Sequence, residues 1–110
     1  MDKEVAEMKR KIARIRKHAS EFAKTTEGRE LAHRMEFATN LLRTLKAKRL
    51  TQADFCRKIN MKSSQLSRIA QGNENVTMAM ITRIADGLGI HPGKLLREPR
   101  PIREPAGAGK

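Results

Sequence analysis

The 110-residue chain has no Trp, no Tyr and only three Phe. Proteins that read single-stranded nucleic acid stack bases on aromatic rings, so this chain is poorly equipped for that mode. Its one cysteine, Cys56, has no partner for an internal disulfide. A lone cysteine suits a reducing cytoplasm or is neutral on the question. No run of about 18 apolar residues occurs, so no membrane span is expected. The first residues, Met-Asp-Lys-Glu-Val, are charged and lack the apolar core of a signal peptide. His18, His33 and His91 show no metal-ligand spacing with Cys56 or with each other, so neither a zinc site nor another cofactor is expected. There is also no Ser-His-Asp order, glycine-rich phosphate loop or paired-carboxylate cleft. The reading is of a non-enzyme.

Acidic residues are scarce. Twelve Asp and Glu face 24 Lys and Arg, a net charge of +12. That excess attracts phosphate, although a basic surface can also serve solubility alone. The charge is concentrated: residues 35–97 carry eleven basic and four acidic side chains, net +7. With 38% hydrophobic residues, the chain can build one small helical domain with extensions. Strand-like alternation appears nowhere.

Three regions emerge. Residues 1–27 form an amphipathic helical extension. Val5, Met8, Ile12, Ile15, Ala19 and Phe22 recur at alternating spacings of three and four, an apolar seam on one helix face. Such a helix is unstable alone and must bury its seam. The seam could meet its own domain, a second copy or a foreign partner. Residues 98–110, rich in Pro and Gly, read as a disordered tail.

Residues 28–97 hold the main domain. Thr26 is expected to cap a helix whose buried face is Leu31, Met35, Ala38, Leu42 and Leu45, ending near Lys48 and Arg49. Thr51 should cap the next helix, with Asp54 as a capping-box partner and Phe55, Cys56 and Ile59 inward. Asn60 tolerates the left-handed conformation of a tight turn. Ser63 or Ser64 should cap a second short helix at about residues 62–71. Its inner face is Leu66, Ile69 and Ala70, and its outer face Ser63, Ser64, Gln65, Ser67 and Arg68. Gly72 should end it. Thr77 caps a fourth helix with Met78, Ile81, Ile84, Ala85 and Leu88 inward and Gly89 at its end. Gly87 inside that helix should cost about 1 kcal/mol against Ala. Pro92 opens a last short helix that returns Leu95 and Leu96 to the core. Cys56 and the six Met read as core filler.

A helix, a tight turn and a second helix with a polar, basic outer face form a helix-turn-helix unit, built to enter a DNA major groove. The chain resembles the lambda-repressor-like helix-turn-helix family, also called the Xre or Cro/repressor family. The matching residues are Leu50-Thr51-Gln52-Ala53-Asp54-Phe55, Leu66-Ser67-Arg68-Ile69 with Gly72, Ile81, Ile84-Ala85, Leu88-Gly89-Ile90 and Leu95-Leu96. The resemblance spans about residues 40–97. It implies an all-α, five-helix DNA-binding domain, usually dimeric, on a palindromic double-stranded operator. By position, Lys62, Ser63, Ser64 and Arg68 would face base edges; Arg to guanine is the commonest specific contact. Gln52, Thr51, Gln65, Asn73 and Asn75 would touch the DNA backbone. Lys62 could do either, and it stands where the family prefers a Ser or Thr cap. Many relatives bury an Arg–Glu pair at the positions of Leu45 and Ala70. Losing both charges together is a sound exchange, because only a lone buried charge is costly.

The expected function is a cytoplasmic, nucleoid-associated transcriptional regulator, a homodimeric repressor of its own gene. The alternative is an antitoxin of a type II toxin–antitoxin module, similar to the HigA group. Its extension would hold a toxin while the helix-turn-helix represses the operon.

Overall fold

The computed structural model describes residues 2–101, and among these it is helical without strands. Six helices follow in order: α1 (Asp2–Ala23), α2 (Thr26–Ala47), α3 (Gln52–Ile59), α4 (Ser63–Ala70), α5 (Met78–Leu88) and α6 (Gly93–Leu96). This is the expected helical extension followed by five helices. The tail expected at 98–110 falls mostly outside the described residues; residues 98–101 are non-helical. The chain divides into two compact units between His33 and Arg34, a boundary that lies inside α2.

In the first unit, no residue of α1 is buried. Val5, Met8, Ile12, Ile15 and Phe22 stand exposed along the seam. The break after Ala23 is made by Thr25 rather than Thr26. Its Oγ1 donates to Phe22 O (2.6 Å) and accepts from Gly28 N (3.0 Å). Thr26 is already helical, so the cap lies one residue earlier than expected. Gly28 is required here, because a Cβ would lie 1.9 Å from the Phe22 carbonyl oxygen.

In the second unit, one core joins Phe37, Leu41 and Leu45 of α2 to Phe55 and Cys56 of α3, Met61, and Leu66 and Ile69 of α4. Ile81, Ile84, Ala85 and Leu88 of α5 and Leu95 of α6 complete it. Leu66, wholly buried at the centre, would cost about 2–5 kcal/mol if cut to Ala. The stripe of α2 differs from the expected one. Phe37, Ala38, Leu41 and Leu45 are buried, whereas Met35 and Leu42 are exposed and Leu31 is half-buried. Both stripes fit a helical period, and the one carrying Phe buries more apolar area. Met78 and Leu96, expected inward, are exposed. Met78 is the first residue of α5 and Leu96 the last of α6, so neither is flanked by a full helical turn on both sides.

Four helices stop in the same way, with one residue in the left-handed region. Arg49 (φ +55°), Asn60 (+56°), Gly72 (+74°) and Gly89 (+69°) end α2, α3, α4 and α5. Behind each, an amide reaches back five residues: Leu50 N to Leu45 O (2.9 Å), Met61 N to Cys56 O (3.0 Å), Asn73 N to Arg68 O (2.9 Å) and Ile90 N to Ala85 O (3.0 Å). This satisfies carbonyls that a helix end would orphan. Gly87 has a packing reason. A Cβ there would lie 2.3 Å from Ile59 Cγ2 and 3.0 Å from Phe55 Cε1, so the glycine lets α3 and α5 close together.

Candidate nucleic-acid interface

The candidate interface is α3, the turn at Asn60–Lys62, α4 and the loop to Thr77. Thr51 caps α3 as expected, accepting from Asp54 N at 3.0 Å. Asp54 does not complete a capping box; its carboxylate instead takes a hydrogen bond from Arg57. Its shorter side chain reaches the cap amide less readily than Glu would. The turn is fixed at three points. Asn60 supplies the left-handed residue, Met61 is buried beneath it, and Arg83 from α5 donates to the Ile59 and Asn60 carbonyls (2.7 and 3.0 Å). Sequence reasoning missed Arg83. Its charge at a helix C-terminus is a known signal, but here it arrives from another helix.

Helix α4 starts at Ser63. Its N-cap is Lys62, in extended conformation and without a side-chain cap hydrogen bond. The expectation that Ser63 or Ser64 caps this helix is therefore corrected: both lie in its first turn and are exposed. A helix start without a side-chain cap leaves outward N–H groups and the positive dipole end, a setting suited to phosphate. Thr51, Gln52, Lys62, Ser63, Ser64, Arg68, Asn73 and Asn75 are all exposed; Gln65 and Ser67 are half-buried. Leu66 and Ile69 hold the opposite side of α4 in the core, while Ala70 is half-buried.

Arg68 is not a bare charge. Its Nε lies 3.3 Å from Glu74 Oε2 in the loop after α4. Asn75 Oδ1 accepts from Arg34 Nη1 at 2.8 Å, which ties that loop to α2. Asn73 donates to Gln71 (3.2 Å), which donates to Ser67 (3.3 Å). The loop is thus braced against both α4 and α2. Glu74 and Arg34 were also missed, because pairs 6 and 41 residues apart leave no helical spacing to read.

Cys56 sits behind this face, buried and unpaired. Burial pushes its thiol up from the ordinary range, against a smaller pull downward from the Arg57 charge. A neutral buried thiol is inert packing. Among the described residues, no group of three His, Cys, Asp or Glu could hold a metal ion. Nor is any helix among them long and apolar enough to cross a membrane.

The helix-turn-helix domain family matches residues 28–98. Three solved structures share the fold. The restriction-modification controller protein C.AhdI from Aeromonas hydrophila is 26% identical (TM-score 0.56), over 58% of this chain and 97% of that one. The hypothetical transcription factor NHTF from Neisseria is 23% identical (TM-score 0.60), over 64% and 80%. An HTH_3 family transcriptional regulator from Vibrio cholerae is 20% identical (TM-score 0.58), over 60% of this chain but 37% of that one. No curated protein matches the chain by sequence. The extent of the family match and the helix-turn-helix geometry agree: the chain belongs to the lambda-repressor-like (Xre) helix-turn-helix family, a family of DNA-binding regulators and not of enzymes.

Proposed function

We propose that this protein is a sequence-specific, double-stranded DNA-binding transcriptional regulator, acting in the cytoplasm as a homodimeric repressor of its own gene. The observation that carries this reading is α4. It is held from behind by Leu66 and Ile69 and offers Lys62, Ser63, Ser64 and Arg68 on its exposed side, without a side-chain cap at its start. In this reading Arg68, Ser63 and Ser64 read bases. Gln52, Thr51, Gln65, Asn73 and Asn75 position the backbone, and Lys62 serves either purpose. Glu74 holds the Arg68 guanidinium in place before DNA arrives. Two copies on a palindromic operator would place their α4 helices in successive major grooves, about 34 Å apart. Footprinting of the DNA upstream of the gene tests this. Two protected half-sites one helical turn apart are expected; uniform protection would contradict it.

A second reading, an antitoxin that also represses its operon, is favoured by the charges beside the α1 seam. Lys9, Arg10, Lys11, Arg14, Arg16 and Lys17 crowd around Ile12 and Ile15 with no carboxylate among residues 9–17. Ile12 and Ile15 lie near the middle of α1, so pairing two copies of it brings these cations together in either orientation. A foreign partner with an acidic rim suits the seam better than a second α1. The double variant Ile12→Glu/Ile15→Glu separates the readings. Loss of the dimer assigns the seam to self-association; loss of a co-expressed toxin with the dimer intact assigns it to the antitoxin role.

A further inference from the structure

Between the C-terminal half of α2 and α6 lies an open basin of about 470 Å³. Arg43, Lys48, Lys94, Arg97 and Arg100 line it, and no acidic residue does. Its floor is Asn40, more than nine-tenths buried, which donates to the carbonyls of Leu95 (3.0 Å) and Arg97 (2.8 Å). Arg43 donates to the Arg100 carbonyl and so holds the segment after α6 along the rim. Among the described residues, none of the five cations forms a salt bridge. Elsewhere in the same unit Arg57 and Arg68 each have a carboxylate. Five like charges around one concavity repel one another unless an anion joins them. None of the lining residues belongs to α3 or α4, so the basin is separate from the helix-turn-helix face.

We propose that this basin binds phosphate, as a ligand bearing two or more phosphate groups. The volume is that of a small-molecule site. Three Arg and two Lys supply forked and point donors for several phosphate oxygens. No aromatic residue lines the basin, so recognition rests on the phosphates and is indifferent to any attached base. The phosphates come either from a free oligophosphate or from the DNA backbone.

Calorimetric titration of the full chain with inorganic tripolyphosphate and with ADP, at low salt, tests the first source. Saturable binding of one ligand per chain is expected. It should weaken at least tenfold in Lys94→Gln/Arg97→Gln and in Arg43→Gln/Lys48→Gln, and remain unchanged in Arg68→Ala. Titration with random duplex at several salt concentrations tests the second. A salt slope reduced by about two in Lys94→Gln/Arg97→Gln, with no tripolyphosphate binding, assigns the basin to DNA phosphates. The proposal is overturned if tripolyphosphate binds both double variants as well as wild type. It is equally overturned if neither tripolyphosphate binding nor the change in salt slope is seen.

Discussion

At the level of single residues, the proposed reading has Arg68 and Glu74 set the balance between affinity and selectivity. Their ion pair is partly exposed and contributes at most about 1 kcal/mol to stability. In the proposed reading its greater effect is on DNA, because Glu74 places a negative charge beside a guanidinium that would face the groove. Glu74→Gln should therefore raise affinity for random duplex several-fold while narrowing the preference for the operator, measured by competition titration. Arg68→Ala should instead weaken the operator by about 1–3 kcal/mol while relaxing one base position. The exposure of Arg68 was readable from its place on the outer face of a short helix. Glu74 was not, because an ion pair across a loop has no sequence period. Cys56 offers a test at alkaline pH. Its thiol binds a proton more tightly folded than unfolded, since burial raises its pKa. That contribution is complete below the ordinary thiol range and is lost as pH rises through and above it. Thermal unfolding at pH 7 and pH 10 should thus show a smaller alkaline loss in Cys56→Ala than in wild type; equal losses would contradict the assignment.

At the level of the helices, stops were more legible than starts. Gly72, Gly89 and Asn60 announced themselves as residues that tolerate positive φ, and all three adopt it. Arg49 also adopts it, and no residue preference signals an arginine there. Arg49→Gly should relieve that strain and raise stability by about 1 kcal/mol in denaturant melts. The start of α4 misled because two serines follow Lys62, and Ser is a preferred cap. Extended backbone at Lys62 shifts the cap one residue earlier. Lys62→Ser should supply the missing cap and stabilise the fold by about 0.5–1 kcal/mol. If Lys62 meets a phosphate, the same change reduces the salt slope of DNA binding by about one. Gly87 read as a defect of α5 because its use lies across the core, against Ile59 and Phe55. Gly87→Ala should destabilise by about 1–3 kcal/mol through overpacking, where helix propensity alone would favour the change.

Across the whole molecule, the five-helix domain was legible because apolar residues, caps and turn residues agree on one pattern from Leu50 to Leu96. The stripe of α2 was less so, because Met35 and Leu42 fit a helical period as well as Phe37 and Leu41 do. The amphipathic seam of α1 was plain in sequence, and in the structure its large apolar residues stand exposed. The central claim is that α4 reads a specific operator against a background of non-specific charge. A mobility-shift titration on about 200 bp upstream of the gene, at two salt concentrations and with random DNA as competitor, tests it most directly. The account predicts a discrete complex that survives competitor and is lost selectively in Arg68→Ala. A smear that salt and competitor both abolish, equally in wild type and variant, would contradict it.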